Sequence, residues 1–270
     1  VLYVENAEPD ERLNPFIARY VQRESRSDGS ELVEPVVARL GTMLEFLFAD
    51  PYFIPALDGG PARVVHPITV IGPITARRVQ LVMQGHIESL VVLFRPLGLY
   101  RLFRTPVSLL AERGTEGHSV FGQRLSALYQ QLGDTPSLPG RKEILDAFFL
   151  RRLMECPALD PRARALQWLI SSTIPLPVRE AARQAGVSVR QLERLSEACA
   201  GTSPKVMTRV ARFERAIQLR TKFGWSWMRT AHEAEYHDQM HMTRDFREFA
   251  GGAPGQVIRQ IRKEHLISLF

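Results

Sequence analysis

A stretch of about 50 residues occurs twice near the C-terminus of this 270-residue chain. Ala182 and Ala185 return as Ala231 and Ala234, a shift of 49. Leu192 and Arg194 return as Met242 and Arg244, and Ala200-Gly201-x-x-Pro204 returns as Ala250-Gly251-x-x-Pro254, both at a shift of 50. Self-similarity at a fixed period means two copies of one small supersecondary unit, so the tail is constrained to fold as a tandem pair.

Each copy reads as two short helices joined by a tight turn. In the first, Val178, Ala181, Ala182 and Ala185 make one apolar face of a helix, and their small size permits close packing. Gly186 follows where a left-handed backbone is wanted, and Val187 plugs the angle between helices. Ser188 then caps a second helix, with Gln191 three residues on completing a capping box. Leu192 and Leu195 turn inward, leaving Val189, Arg190, Gln191, Glu193 and Arg194 outward near the helix start. In the second copy Met228, Ala231 and Ala234 form the first helix face, Tyr236 stands in the turn and Asp238 caps. Met242, Phe246 and Phe249 turn inward there, leaving Gln239, Met240, His241, Thr243 and Arg244 outward. Ser203-Pro204 begins a helix over 204–221, about 27 Å long, between the copies. A rod of that length with its turns can hold two recognition helices about one DNA turn, roughly 34 Å, apart.

Charge agrees with a polyanion as partner. Cut near Cys156–Pro157, residues 1–157 hold 17 Lys and Arg against 18 Asp and Glu, and residues 158–270 hold 18 against 11. The whole basic excess lies in the tail, where phosphate neutralisation would use it. Arg makes bidentate bonds to guanine and Gln to adenine, so the outward residues suit base reading in a major groove.

These motifs resemble the AraC/XylS family of transcription regulators. The likeness runs from Leu176 to Ile261 through Ala185-Gly186-Val187-Ser188, Leu192-Glu193-Arg194-Leu195, Gly201-Thr202-Ser203-Pro204-Lys205, Arg212-Phe213-x-Arg215-Ala216, and Tyr236-x-Asp238-Gln239-x-His241 leading to Arg244-x-Phe246-Arg247-x-Phe249-Ala250-Gly251. The resemblance implies base contacts from Arg190, Glu193 and Arg194 in the first unit and from Gln239, Met240, Thr243 and Arg244 in the second. It implies phosphate contacts from Lys205 and Arg247. Three positions depart from the family pattern: Glu235 stands where a Gly precedes the turn aromatic, Ser196 replaces an aromatic, and Met240 replaces a small polar residue. The first unit is therefore the better supported reader.

The N-terminal part is punctuated differently. Met43–Phe48, Val64–Ile71, Val79–Met83 and Ile87–Phe94 are apolar runs rich in β-branched and aromatic residues, split by Asp58-Gly59-Gly60-Pro61, Gly72-Pro73 and Gly85. They predict a small antiparallel sheet or barrel. After Gly117 the period becomes helical, with Leu125, Leu128, Tyr129 and Leu132, then Ile144, Leu145, Phe148 and Phe149, around a break at Gly133–Gly140. Leu13-Asn14-Pro15-Phe16, Arg95-Pro96-Leu97-Gly98 and His118-Ser119-Val120-Phe121-Gly122 are similar to N-terminal domains of some AraC-like regulators. That likeness implies an effector or dimerisation domain and names no ligand.

Other chemistries find little support. His232-Glu233 with His237 has spacing i+5, whereas the zinc-protease motif needs i+4 on one helical face; His237 and His241 have i+4 but no third ligand. His66, His86 and His118 show no metal spacing. Glu45 and Glu88 fall inside apolar strands, where they either face water or line a ligand cavity. Trp225 and Trp227 read as core or hinge residues rather than stacking platforms. Cys156 and Cys199 form no C-x-x-C pair, no apolar run approaches a spanning helix, and Glu5, Glu8, Asp10 and Glu11 are unlike a secretory leader.

The expected fold is thus α+β: a β-rich effector-type domain over 1–117, a helical linker or dimerisation segment over 118–157, and an all-α tandem helix-turn-helix domain over 158–270. The expected function is a cytoplasmic, homodimeric, sequence-specific regulator of the activator type that binds double-stranded DNA. It is not an enzyme and has no cofactor or metal. A small-molecule effector and RNA polymerase are its further candidate partners. The rival expectation keeps the DNA binding but gives the N-terminal domain only a dimerising or protein-binding role.

Overall fold

A computed structural model describes residues 2–26, 31–55, 63–76, 80–171 and 176–261. The Asp58–Pro61 break and Val79 lie outside the described residues. Among the described residues, ten strands form two antiparallel sheets. The larger has the order β1-β2-β9-β4-β7-β10, with β1 at Leu2–Ala7, β2 at Ile17–Arg26, β4 at Thr42–Leu47, β7 at Ile68–Ile71, β9 at His86–Phe94 and β10 at Gly114–Glu116. The smaller has the order β3-β8-β5-β6, with β3 at Leu32–Pro35, β5 at Phe53–Ile54, β6 at Arg63–Val64 and β8 at Gln80–Met83. The run expected at Val64–Ile71 is two strands rather than one, because Pro67, which has no N–H to donate, falls inside it.

Strand β9 is apolar on both faces because both are covered. Leu90, Val92 and Phe94 join Tyr20, Leu44, Phe46 and Val70 in a core facing helices, while Ile87 faces Tyr52, Val65 and Met83 beneath the smaller sheet. A strand buried on both faces reads as a continuous hydrophobic run, which is how Ile87–Phe94 appears in the sequence. Glu45 lies on the face toward the smaller sheet and is buried, not turned to water. Its carboxylate pairs with Arg23 and accepts from the Tyr52 hydroxyl at 2.6 Å, while Arg23 Nε donates to Ser89 at 3.1 Å. Glu88 pairs with the buried Arg141 at 2.7 Å. Glu45 is satisfied inside the protein, so neither sequence reading holds for it, whereas Glu88 stays partly open to water while paired.

Helices α1 (Gly98–Phe103), α2 (Gly117–Phe121), α3 (Ser126–Gly133) and α4 (Leu138–Glu155) cover the other face of the larger sheet. Leu125, Leu128, Leu132, Leu145 and Phe149 share one core with strand residues Ile17, Tyr20 and Phe94. The segment expected as a linker is therefore packed into the N-terminal core. Tyr20 holds α4 in place by donating to Asp146 at 2.9 Å.

The remainder is helical: α5 (Arg164–Ser171), α6 (Val178–Gln184), α7 (Val189–Ala200), α8 (Pro204–Phe223), α9 (Trp227–Glu233), α10 (Gln239–Ala250) and α11 (Pro254–Gln260). Among the described residues no helix is long and apolar enough to cross a membrane, and no three His, Cys, Asp or Glu side chains are grouped to hold a metal ion. Cys156 and Cys199 are free and buried.

The N-terminal domain touches both repeat copies. Val37, Ala38, Leu40 and Leu97 are buried within the core of the helical domain. Ala38 N donates to the Phe249 carbonyl at 2.9 Å, in the last turn of α10, and Leu40 N donates to Glu214 Oε1 on α8 at 2.7 Å. On the first copy, a Cβ added to Gly201 would meet Pro73 Cγ at 2.9 Å and the Val107 carbonyl at 3.0 Å.

Candidate nucleic-acid interface

The repeat is realised in the backbone, hydrogen bond for hydrogen bond. At the end of α6, Ala185 N bonds to Ala181 O, Gly186 N to Arg183 O and Val187 N to Ala182 O; after α9, Ala234 N bonds to Thr230 O, Glu235 N to His232 O and Tyr236 N to Ala231 O. The next helix in each copy has twelve residues and ends on a left-handed glycine, Gly201 with φ 69° and Gly251 with φ 73°. Such a terminus uses glycine because a Cβ is disfavoured there.

The helix starts differ between copies. Ser188 accepts from Gln191 N while Gln191 Oε1 accepts from Ser188 N at 2.8 Å, completing the expected box. Asp238 accepts from His241 N at 2.6 Å, and no Glu or Gln stands at the third position to return the bond. That backbone donor, with the neighbouring His237 ring, holds the Asp238 carboxyl below the usual carboxylate range.

Every residue expected to read bases sits on these two helices. Arg190, Glu193 and Arg194 are exposed on α7, while Gln239, Met240 and Arg244 are exposed and Thr243 half-buried on α10. Lys205 is exposed at the start of α8 and Arg247 on α10. The inward faces match the sequence reading, with Leu192, Met242, Phe246 and Phe249 buried and Leu195 half-buried. Ser196 is also buried and donates to the Thr202 carbonyl at 2.5 Å, so the loss of an aromatic is filled by a short polar contact.

Arg209 carried no sequence signal, and it completes a framework of aromatic residues that did. Arg209 on α8 grips α10 through Asp245 at 2.7 Å and Glu248 at 2.5 Å, with its guanidinium over the Phe249 ring. Phe213 meets Phe246 and Phe249 edge-on, and Trp227 meets Phe246 the same way. Trp225 stacks on Phe223, and the Arg229 guanidinium lies over its ring. These contacts lock the second unit to α8. Glu214 is another such residue: an i to i+3 or i+4 pattern finds Val210, Phe213 and Ile217 but says nothing of the polar residue beside them.

A cleft of about 480 Å³ separates the two domains, lined by Leu40, Arg95, Leu169, Glu214 and Arg215 among others. Burial against protein raises the Glu214 carboxyl to about 7, although Leu40 N and the Arg39 charge oppose the shift. Arg39 is itself buried, and its Nε and Nη1 have no hydrogen-bond partner among the described residues.

Residues 181–260, which hold both turns and both exposed helices, match the family model described as "Helix-turn-helix domain". This C-terminal part is a helix-turn-helix domain of the AraC type. The chain is a DNA-binding transcription regulator. Its N-terminal part, residues 5–116, matches a second model, "Domain of unknown function (DUF6597)". Among solved structures, the fold is similar to that of ToxT from Vibrio cholerae, at 10% identity over 96% of this chain and 98% of that one, with TM-score 0.52. ToxT bound to (E)-4-(8-methylnaphthalen-1-yl)but-3-enoic acid matches at 10% identity, the same coverage and TM-score 0.51. At such identity the likeness concerns the fold. No match to the chain was found among curated proteins.

Proposed function

We propose that the protein regulates transcription by inserting α7 and α10 into adjacent major-groove segments of one DNA duplex. The observation that carries this is the duplication itself: two capped helices of equal length, each exposing side chains of types able to bond to base edges, joined by the 20-residue α8. At 1.5 Å per residue α8 is about 30 Å long, close to the rise of one DNA turn. Arg190, Glu193 and Arg194 read one half-site and Gln239, Met240, Thr243 and Arg244 the other. Lys205 and Arg247 hold phosphates.

Control comes from the N-terminal domain, whose loop at residues 37–40 touches α8 and the end of α10 while its Pro73 and Val107 abut the end of α7. A ligand that favours one arrangement of those contacts changes the spacing of the readers by linkage. The Arg23–Glu45–Tyr52 network lies between the two sheets, and the effector site we favour is the interdomain cleft. Arg95, Arg212 and Arg215 line it and suit a carboxylate, the class of compound bound to ToxT. The protein acts in the cytoplasm as a homodimeric activator that contacts RNA polymerase.

Selection of bound sequences from random DNA tests the central reading. Two half-motifs with centres about 10 base pairs apart are expected. Recovery of a single half-motif, with Arg244→Ala leaving the selected sequence unchanged, refutes the two-reader arrangement.

A further inference from the structure

The two recognition helices share a backbone but not a chemistry. At the shift of 50 residues, Arg190 corresponds to Met240, Glu193 to Thr243 and Arg194 to Arg244. The first helix thus presents an Arg and a Glu where the second presents a thioether and a threonine. Met240 is 61% exposed on the second residue of α10, a high exposure for a large apolar side chain. Thr243, one helical turn on, donates its hydroxyl hydrogen to the Gln239 carbonyl at 2.8 Å. That donor is committed to the helix, so what Thr243 adds at the surface is a methyl group and an acceptor. Met240 and Thr243 are three apart and share one helical face.

We infer that α10 reads thymine through its C5-methyl group, by apolar contact with Met240 and Thr243, whereas α7 reads its half-site by hydrogen bonds from charged side chains. The inference rests on the two-reader proposal and names what the second reader recognises. In the major groove only the A·T pair offers a methyl group, and an apolar side chain contacts it without leaving a donor or acceptor unpaired. An Arg at position 240 would find a partner at guanine N7 and O6; Met finds none there and leaves those acceptors dry, which counts against G at that position. Gln239 beside it supplies the bidentate geometry for adenine, so the second half-site is expected to be A·T-rich around one guanine read by Arg244.

The test uses the full-length protein and the sequence recovered by selection. Each thymine of the second half-site is replaced in turn by deoxyuridine, which pairs identically and lacks only the methyl group. At one position the affinity is expected to fall about fourfold, the effect of one buried methyl-sized group. Met240→Ala is expected to lose most of the deoxyuridine effect, with Thr243 supplying the remainder, and Met240→Gln to shift the selected base from T toward A. Met240 is exposed, so either variant keeps the fold, and melting behaviour equal to the parent verifies it. Two selected half-motifs with no response to deoxyuridine at any second-site position overturn this inference and leave the two-reader proposal standing. A single half-motif overturns both.

Discussion

Gly186 and Glu235 adopt the same left-handed backbone, with φ of 65° and 64°, at equivalent places in the two turns. One copy uses the residue that tolerates this conformation and the other does not. For a residue with a Cβ the left-handed region costs about 1–2 kcal/mol. The second turn therefore keeps its hydrogen bonds and bears the strain rather than rearranging. The Glu235 carboxylate gains a loose ion pair with Arg215 at 3.7 Å, and its partial burial raises its pKa. A half-exposed pair of that length offsets little.

Glu235→Gly is expected to raise the unfolding midpoint, corresponding to about 1 kcal/mol. Glu235→Ala keeps the Cβ and loses the ion pair, so it should give no gain. Thermal melting of both variants decides whether the backbone or the carboxylate sets the effect. Equal stabilisation by both would show that the strain account is wrong.

Gly201 is constrained twice, by φ of 69° and by contact with the N-terminal domain. Gly186 is constrained once, since a Cβ there would meet nothing within 4 Å. Gly186→Ala is expected to cost about 1 kcal/mol from backbone conformation alone. Gly201→Ala should cost about 1 kcal/mol more and loosen domain docking, because Pro73 and the Val107 carbonyl must move. Limited proteolysis between residues 157 and 176 and chemical denaturation measure the two effects. Indistinguishable variants would argue against a tight contact at Gly201.

Arg194→Ala is expected to cost about 1–3 kcal/mol at one base position and to relax specificity there. Lys205→Ala should weaken binding to all sequences alike and reduce the salt slope by about 1. Titration of DNA at several salt concentrations separates the two. A base-specific loss from Lys205→Ala would move it from the phosphates to the bases.

Glu214 makes the contact between domains sensitive to pH. Its folded value of about 7 lies above that of an unfolded glutamate, so the docked state holds a proton that the unfolded state has released. The stabilisation is complete below about pH 4.5 and is lost as pH rises through 7. Arg39 opposes the shift, Leu40 N donates to the carboxylate, and Arg95, Arg212, Arg215 and Glu235 share the cleft. Between pH 5 and 8 the wild type is expected to lose about 2 kcal/mol more than Glu214→Gln. Denaturation at a series of pH values tests this, and parallel curves would remove Glu214 as the cause.

The tandem helices were legible because their signals are local. A cap, a turn glycine and an apolar face lie within a dozen residues of each other, and a second copy repeats them, so Ser188, Gly186 and Leu192 identified the first unit unaided. In the N-terminal part, β4 and β9 were legible as apolar runs, but β2 was not: Arg19, Gln22, Arg23 and Glu24 interrupt it. Arg23 is inside because Glu45 and Ser89, 22 and 66 residues away, are there to receive it. Glu45 was misread for the same reason.

Residue order alone determined the duplicated unit, the outward positions of Arg194 and Arg244, and the confinement of positive charge to one domain, since each depends on neighbours within a few helical turns. Only the tertiary structure decided that the helices after Gly117 belong to the N-terminal core, that residues 37–40 reach across to Glu214 and Phe249, and that the left-handed turn survives at Glu235. Those outcomes depend on contacts between distant segments, whose free energy is a sum over partners that no window of sequence contains.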